Sequence, residues 1–199
     1  MTFDEALAKL KNASPLRITV SGDIGSGKST FTKRLAAELD IPRTYVGQMM
    51  RDEAAARGLS LDDFNKLLNE DDEVDRRLDE LQREKSVDIE RGVFEGRTSW
   101  HFVVDPKITV FLSVDPDAAA NRIWKDDNAN RDAYESVDDL IKANVERKAS
   151  EEKRYQAYYN ISAYNLENFD VTIDTTPLTL DEVFEQTVIA IATHLHSES

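Results

Sequence analysis

Leu16-Arg17-Ile18-Thr19-Val20-Ser21-Gly22-Asp23-Ile24-Gly25-Ser26-Gly27-Lys28-Ser29 decides how the rest of the chain is read. Its first six residues read as a buried strand. The next eight fit the pattern of a glycine, any four residues, then Gly-Lys-Ser or Gly-Lys-Thr. Beyond them Phe31, Leu35 and Leu39 recur at helical spacing. A strand, a glycine turn and a helix in that order are the setting in which this pattern holds phosphate; the bland alternative is a plain turn. Glycines let the backbone wrap so that several N–H groups point inward, and the following helix adds the positive end of its dipole. Lys28 offers a charge to the β and γ phosphates, and Ser29 a hydroxyl to Mg²⁺. The run Gly22, Asp23, Ile24, Gly25, Ser26, Gly27, Lys28, Ser29 and Thr30 is therefore the expected ATP site, with Ser29 as the expected metal contact.

Working outward, residues 3–11 form a short amphipathic helix with Phe3, Leu7 and Leu10 on one side, and Asn12 to Pro15 breaks it. Arg43 to Val46 is a short second strand. From Met49 to Arg91 the pattern is helical and highly charged, in three segments. Gly58 separates the first two, Ser60 to Asp63 starts the second, and Val74, Leu78 and Leu81 stripe the third. Val93 to Glu95 is a third strand. Ile108 to Val114 is a fourth, nearly all apolar, as in a central parallel strand. Asp115 then caps a helix with Pro116 at its first position. Lys125 to Ser136 is a polar loop, Val137 to Tyr159 a long helix, and Phe169 to Thr175 a fifth strand. Thr179 to Glu182 is a capping box opening a last helix that runs to His194. Strands alternating with helices imply a parallel sheet covered on both faces. The expected fold is α/β, a three-layer P-loop NTPase fold with a five-stranded parallel sheet. Its expected core is 16–46, 92–124 and 165–196, interrupted by an acceptor-binding helical insertion over about 47–91 and a lid over about 125–136.

Bulk composition narrows the partners. The net charge of −14 sets the surface against nucleic acid backbone and anionic membrane, although solubility or adaptation to salt explains acidity equally well. The absence of cysteine excludes disulfides and thiolate metal sites. No apolar run reaches bilayer length, and the first residues lack the basic start and apolar stretch of a secretory signal. The expectation is a cytoplasmic monomer or weak oligomer acting on small nucleotides, with no nucleic acid and no membrane partner.

A P-loop also serves GTPases, motor ATPases and nucleotide-sensing switches, so the arginines discriminate. A phosphorylated acceptor is already largely ionised at neutral pH and needs no general base. It needs cations that hold two polyanions together and stabilise the transferring group. Arg51 follows the second strand beside Gly47, and Arg97 follows the third beside Gly96. Arg122 lies on the helix after the fourth strand, and Arg131 in the polar loop. Arg147, Glu151 and Arg154 share one helix face. The bland reading of each arginine is a solvated side chain paired with a local carboxylate. Glu95 closes a strand near the expected metal, where it holds Mg²⁺ through water or orients Arg97. Asp115 competes for the metal, but its cap explains it. His101, His194 and His196 suggest no base and no ligand set.

The chain resembles the short cytidylate kinase family of archaea and some bacteria over nearly everything after Leu16. The resemblance lies in the P-loop, Gly47 to Arg51, Arg57 to Leu61, Asn69 to Asp79, Phe94 to Arg97, Arg147 to Tyr159, and Asp174-Thr175 followed by Leu178 to Val183. It implies a nucleoside monophosphate kinase with a helical acceptor-binding insertion and a lid that closes over ATP. By that analogy Arg51 and Arg97, beside Gly96 and Glu95, hold the acceptor phosphate. Arg147, Glu151 and Arg154 serve the pyrimidine nucleotide or the transferring phosphate, with Glu151 able to accept from the cytosine amino group. Arg122 and Arg131 are the implied lid and γ-phosphate cations. Lys28, Arg97, Arg122, Arg131 and Arg154 are thus the candidate catalytic residues. The leading expectation is ATP plus CMP (or dCMP) giving ADP and the diphosphate. Another acceptor, such as AMP or a small metabolite, and a non-catalytic nucleotide switch are the alternatives. Asp23 departs from the neutral residue of many relatives, and residues 1–15 have no counterpart in the family.

Overall fold

The computed structural model describes residues 1–68, 73–126 and 134–197. Five parallel strands form one sheet: β1 (Leu16–Gly22), β2 (Arg43–Tyr45), β3 (Arg91–Glu95), β4 (Ile108–Ser113) and β5 (Val171–Asp174), in the order β2-β3-β1-β4-β5. β1 is central. Val20 pairs with Glu95 on one side and Val110 on the other, so the loops at the carboxyl ends of β1, β3 and β4 open at one edge. In open parallel sheets ligands gather at that edge, where the strand order reverses.

Helices α1 (Phe3–Asn12), α2 (Lys28–Leu39), α3 (Val46–Ala56), α4 (Leu61–Leu68), α5 (Glu73–Asp88), α6 (Ser99–Phe102), α7 (Pro116–Trp124), α8 (Val137–Tyr159) and α9 (Leu180–Ser197) complete the chain. The main core joins Leu16, Ile18 and Val20 of β1 to Phe31 and Leu35 of α2 and to Phe184, Val188 and Ile191 of α9. α1 adds Ala6 and Leu10 to it, closed by an edge contact of Phe3 on Phe184. Thr2 and Glu5 cap α1 reciprocally, and Arg91 donates to the Leu10 and Lys11 carbonyls at its other end. α1, within the residues 1–15 for which no family counterpart was expected, is therefore a packed layer of the domain. α3, α4 and α5 bury a second, separate cluster of Val46, Ala54, Phe64 and Leu78. No helix of the described residues is long and apolar enough to cross a membrane.

Several boundaries move. Val46 begins α3 instead of ending β2, because its side chain is buried with Phe64 and Leu78. β3 starts at Arg91, in register with Leu16, and not at Val93. β5 is shortened to Val171–Asp174 because Phe169 packs on Phe111 with ring centroids 4.9 Å apart, after a 3₁₀ turn at Leu166–Asn168. The turn of helix at Ser99–Phe102 was not expected, and α9 runs on to Ser197. α8 matches its expected span of 137–159. Of the expected lid, residues 127–133 lie outside the described residues.

Candidate active site

The Gly22–Ser29 loop joins β1 to α2 under tight steric control. A Cβ on Gly22 would lie 2.3 Å from the Leu112 carbonyl oxygen, and Gly25, at φ +80°, sits against Ala119. Only glycine lets β1 turn this close to β4 and α7. Asp23 anchors the loop through its backbone. Its N–H donates to the Leu112 carbonyl (2.9 Å), and its own carbonyl accepts from the Ser26 hydroxyl (2.9 Å) and the Lys28 ammonium (3.4 Å). Its carboxylate accepts from the Val114 N–H (3.3 Å) and pairs with Lys148 of α8 (2.6 Å). The acidic side chain thus ties the loop to its surroundings.

Lys28 opens α2 and is buried. Burial, reinforced by the nearby charge of Arg97, pushes its pKa down to about 8, although Glu95, Glu151 and Asp23 pull the other way. An ammonium held at such cost is one that a phosphate would strongly favour.

Glu95, at the end of β3, is 1% exposed. One oxygen accepts from Ser29 Oγ (2.7 Å); the other accepts from Thr32 Oγ1 (2.5 Å) and the Arg43 guanidinium (2.5 Å). Burial opposes its charge, yet Lys28, the two hydroxyls and Arg43 outweigh that and hold the carboxyl below its usual range. Glu95 therefore orients Ser29 and pairs with Arg43; the expected service to Arg97 falls instead to Glu151.

Glu151, 3% exposed on α8, is the hub of the opposite wall. It accepts from Arg97 Nε (2.9 Å), from Arg147 Nε (3.0 Å) and from the Tyr164 hydroxyl, which itself accepts from Arg97 Nε (3.0 Å). Burial opposes the charge of Glu151, but Arg97, Arg147 and the Tyr164 hydroxyl hold its carboxyl well below the carboxylate range. Burial likewise opposes the charge of Arg97, and Glu151 outweighs it. Burial and Glu151 together push the Tyr164 hydroxyl up, so it remains a donor. With three donors on its two oxygens, Glu151 holds arginines and is not presented to a base amino group, contrary to the expectation.

The remaining expected residues divide. Arg154 lies buried on the same helix, its guanidinium carbon 5.5 Å from the Tyr155 ring centroid. Arg51 on α3 donates to the Tyr45 hydroxyl (2.8 Å) and the Gly47 carbonyl (3.3 Å), at the end of the strand where Tyr45 lies opposite Glu95. Gly96 is packed so that a Cβ would meet Ser99 Oγ at 2.6 Å, and its carbonyl accepts from Ser21 Oγ (2.8 Å). Arg122 is a correction. Its guanidinium donates to the Thr175 hydroxyl (3.1 Å) and to the carbonyls of Thr175 (2.6 Å), Thr176 and Leu178 (both 3.3 Å). It clasps the β5–α9 loop to α7 and does not present a cation to phosphate in this conformation. Arg131 lies outside the described residues.

Sequence reasoning missed Arg43, Thr32, Tyr164 and Lys148. Thr32 and Arg43 were within reach: Thr32 sits one helical turn after Ser29, and Arg43 heads the strand beside β3. Nothing local marks Tyr164 or Lys148.

Lys28 and Ser29 thus open α2 beyond β1, Arg97 follows β3 close enough for its charge to lower the Lys28 pKa, and two buried carboxylates, Glu95 and Glu151, hold Ser29 and the Arg97–Arg147 pair. That fold and site define the P-loop phosphotransferase class. Residues 18–143 match the family model described as "AAA domain". A cytidylate kinase of Methanospirillum hungatei is 31% identical over 92% of this chain and 100% of its own length, and one of Methanothrix thermoacetophila is 34% identical over 79% and 87%. A solved structure of shikimate kinase from Acinetobacter baumannii in complex with shikimate superposes with a TM-score of 0.57 at 14% identity, over 94% of this chain and 97% of its own, which shows the shared fold. The chain belongs to the cytidylate kinase family.

Proposed function

We propose that this protein transfers the γ-phosphate of ATP to CMP or dCMP, giving ADP and the pyrimidine nucleoside diphosphate. The observation that carries this reading is the Arg97–Glu151–Arg147 cluster, whose charges lie close enough to act on Lys28. A hydrolase needs to position only water. Two extra guanidiniums, held by a carboxylate whose own charge a phosphate can replace, suit a second phosphorylated molecule.

In this reading the loop N–H groups and Lys28 hold the β and γ phosphates, while Arg97 and Arg147 take the acceptor phosphate. Arg51 reaches the acceptor from the insertion, and Arg154 keeps the α8 face cationic. The acceptor phosphate is its own nucleophile, because its second pKa is about 6 and it is mostly dianionic at neutral pH. No base is required, and among the described residues no cluster of three or more His, Cys, Asp or Glu could hold a metal by itself. Mg²⁺ prefers one or two protein oxygens together with substrate phosphates. Ser29 Oγ donates its hydrogen bond to the Glu95 carboxylate, which leaves hydroxyl lone pairs for a hard cation; Ser29 and Glu95 are the residues that would hold it. Held there, Mg²⁺ would neutralise charge on the donor phosphates. Reliance on ATP and CMP fits a cytoplasmic setting.

The test is a coupled ADP-release assay across CMP, dCMP, UMP, AMP and GMP. CMP or dCMP should accelerate ATP consumption most. A protein that binds ATP but transfers to none of the five would refute the proposal, and a preference for AMP would reassign the acceptor.

A further inference from the structure

We propose that Lys148 is a cation of the ATP site, and that Asp23 holds it at the phosphate loop until the triphosphate arrives. This rests on the reading of Gly22–Ser29 as the donor site. Asp23 is a carboxylate inside a loop built to receive phosphate, and its side chain is only 15% exposed. Unpaired, it would repel the ligand at a few ångströms. The structure pairs it: one oxygen meets Lys148 Nζ at 2.6 Å, while the other accepts from the Val114 N–H at 3.3 Å. Lys148 is the residue next to Arg147 on α8. Its ammonium lies 4.6 Å from the centroid of the Tyr164 ring, whose hydroxyl bonds to Glu151 and Arg97. The ammonium thus touches the phosphate loop at Asp23 and the ring of the tyrosine whose hydroxyl Arg97 bonds.

The side chain of Lys148 remains 47% exposed and ends in a freely turning ammonium on a four-carbon stem. A triphosphate brings several anionic oxygens against the one carboxylate oxygen that Lys148 contacts, so phosphate outcompetes Asp23 for it. Asp23 keeps its bond to Val114 and the loop keeps its shape. The carboxylate acts as an internal stand-in for phosphate, ordering Lys148 in the empty enzyme and lowering affinity by the work of separating the pair.

The test is calorimetric titration of ATP into the wild-type chain, Lys148→Met, Asp23→Asn and the double variant, with Lys148→Arg as the conservative control. Asn keeps the acceptor for Val114, and Met keeps an unbranched apolar stem without the charge. Lys148→Met should weaken ATP about ten-fold and Asp23→Asn should tighten it about five-fold, the usual scale of coupled sites. The double variant should stay weaker than wild type, because the phosphate contact is missing, and Lys148→Arg should stay near wild type. A double variant restored to wild-type affinity would mean that Lys148 merely neutralises Asp23, and would overturn the proposal. So would an unchanged Lys148→Met, or Asp23→Asn that fails to tighten. A wild-type chain that does not bind ATP would remove the donor site itself; a wild-type chain that binds ATP and turns over CMP, with variants that do not behave as stated, removes this inference alone.

Discussion

Replacing Glu151 by Gln isolates the hub of the acceptor wall. The amide has the same shape and keeps one acceptor, but it removes the charge that orders Arg97 and Arg147. Removing one partner of a buried pair costs about 3–5 kcal/mol. The Arg97 and Arg147 side chains retain 18% and 28% exposure, so water takes up part of their stranded charge and the lower end applies. A loss of about 3 kcal/mol in a chain of this size lowers the melting temperature by about 6–12 °C. The pH dependence carries a second signature. The folded pKa of Glu151 is depressed, so its contribution is fully present above the ordinary carboxylate value of about 4.3 and disappears as the pH falls toward the depressed value. Between neutral pH and acid, the melting temperature of the wild type should fall more steeply than that of the variant. Inorganic phosphate should raise the melting temperature of Glu151→Gln more than that of the wild type, since an anion then fills the place of the carboxylate. The assay is a thermal melt from pH 7 down to acid, with and without phosphate. A variant melting within about 2 °C of wild type with a parallel acid profile would refute the role given to Glu151.

Arg97→Ala should leave the fold intact, because Glu151 keeps Arg147 and Tyr164, while lowering turnover about a hundred-fold or more; circular dichroism alongside the coupled assay separates the two effects. Lys28 ionises near pH 8 in the empty site, so kcat/KM for ATP should fall as the pH rises through about 8 and level out at saturating ATP; Lys28→Arg should remove that basic limb. Arg43→Met leaves the Glu95 charge with only hydroxyl partners outside Lys28 and should lower the Mg²⁺ concentration needed for half-maximal rate, read from a metal titration at fixed ATP. Gly22→Ala drives a methyl into the Leu112 carbonyl and should unfold the loop's seat on β4, costing several kcal/mol by urea denaturation, as forced clashes in close-packed interiors do.

The phosphate loop, the central strands, the capped helix after Asp115 and the full span of α8 were legible because each is written in neighbours. Periodicity, caps and glycines act over a few residues, and a buried parallel strand declares itself by being apolar throughout. The failures are also physical. Val46 reads as strand by its β-branched type, but burial against Phe64 decides it as helix. Phe169 reads as strand, yet its packing on Phe111 is what places it. Arg122 reads as a lid cation from its position after β4, but four acceptors on the β5–α9 loop claim it.

By itself, then, the sequence determined that a phosphate-binding turn exists, where it lies, and that cations follow the strands beside it. Which carboxylate meets which cation was decided only in three dimensions. The chain has 25 basic and 39 acidic side chains, so composition allows almost any pairing. Asp23 and Lys148 are 125 positions apart, Arg97 and Glu151 are 54 apart, and Glu95 and Arg43 are 52 apart. No local pattern reaches that far. Burial removes water from these groups and makes an unpaired charge costly, so packing selects the partners that turn a loop and scattered arginines into one site.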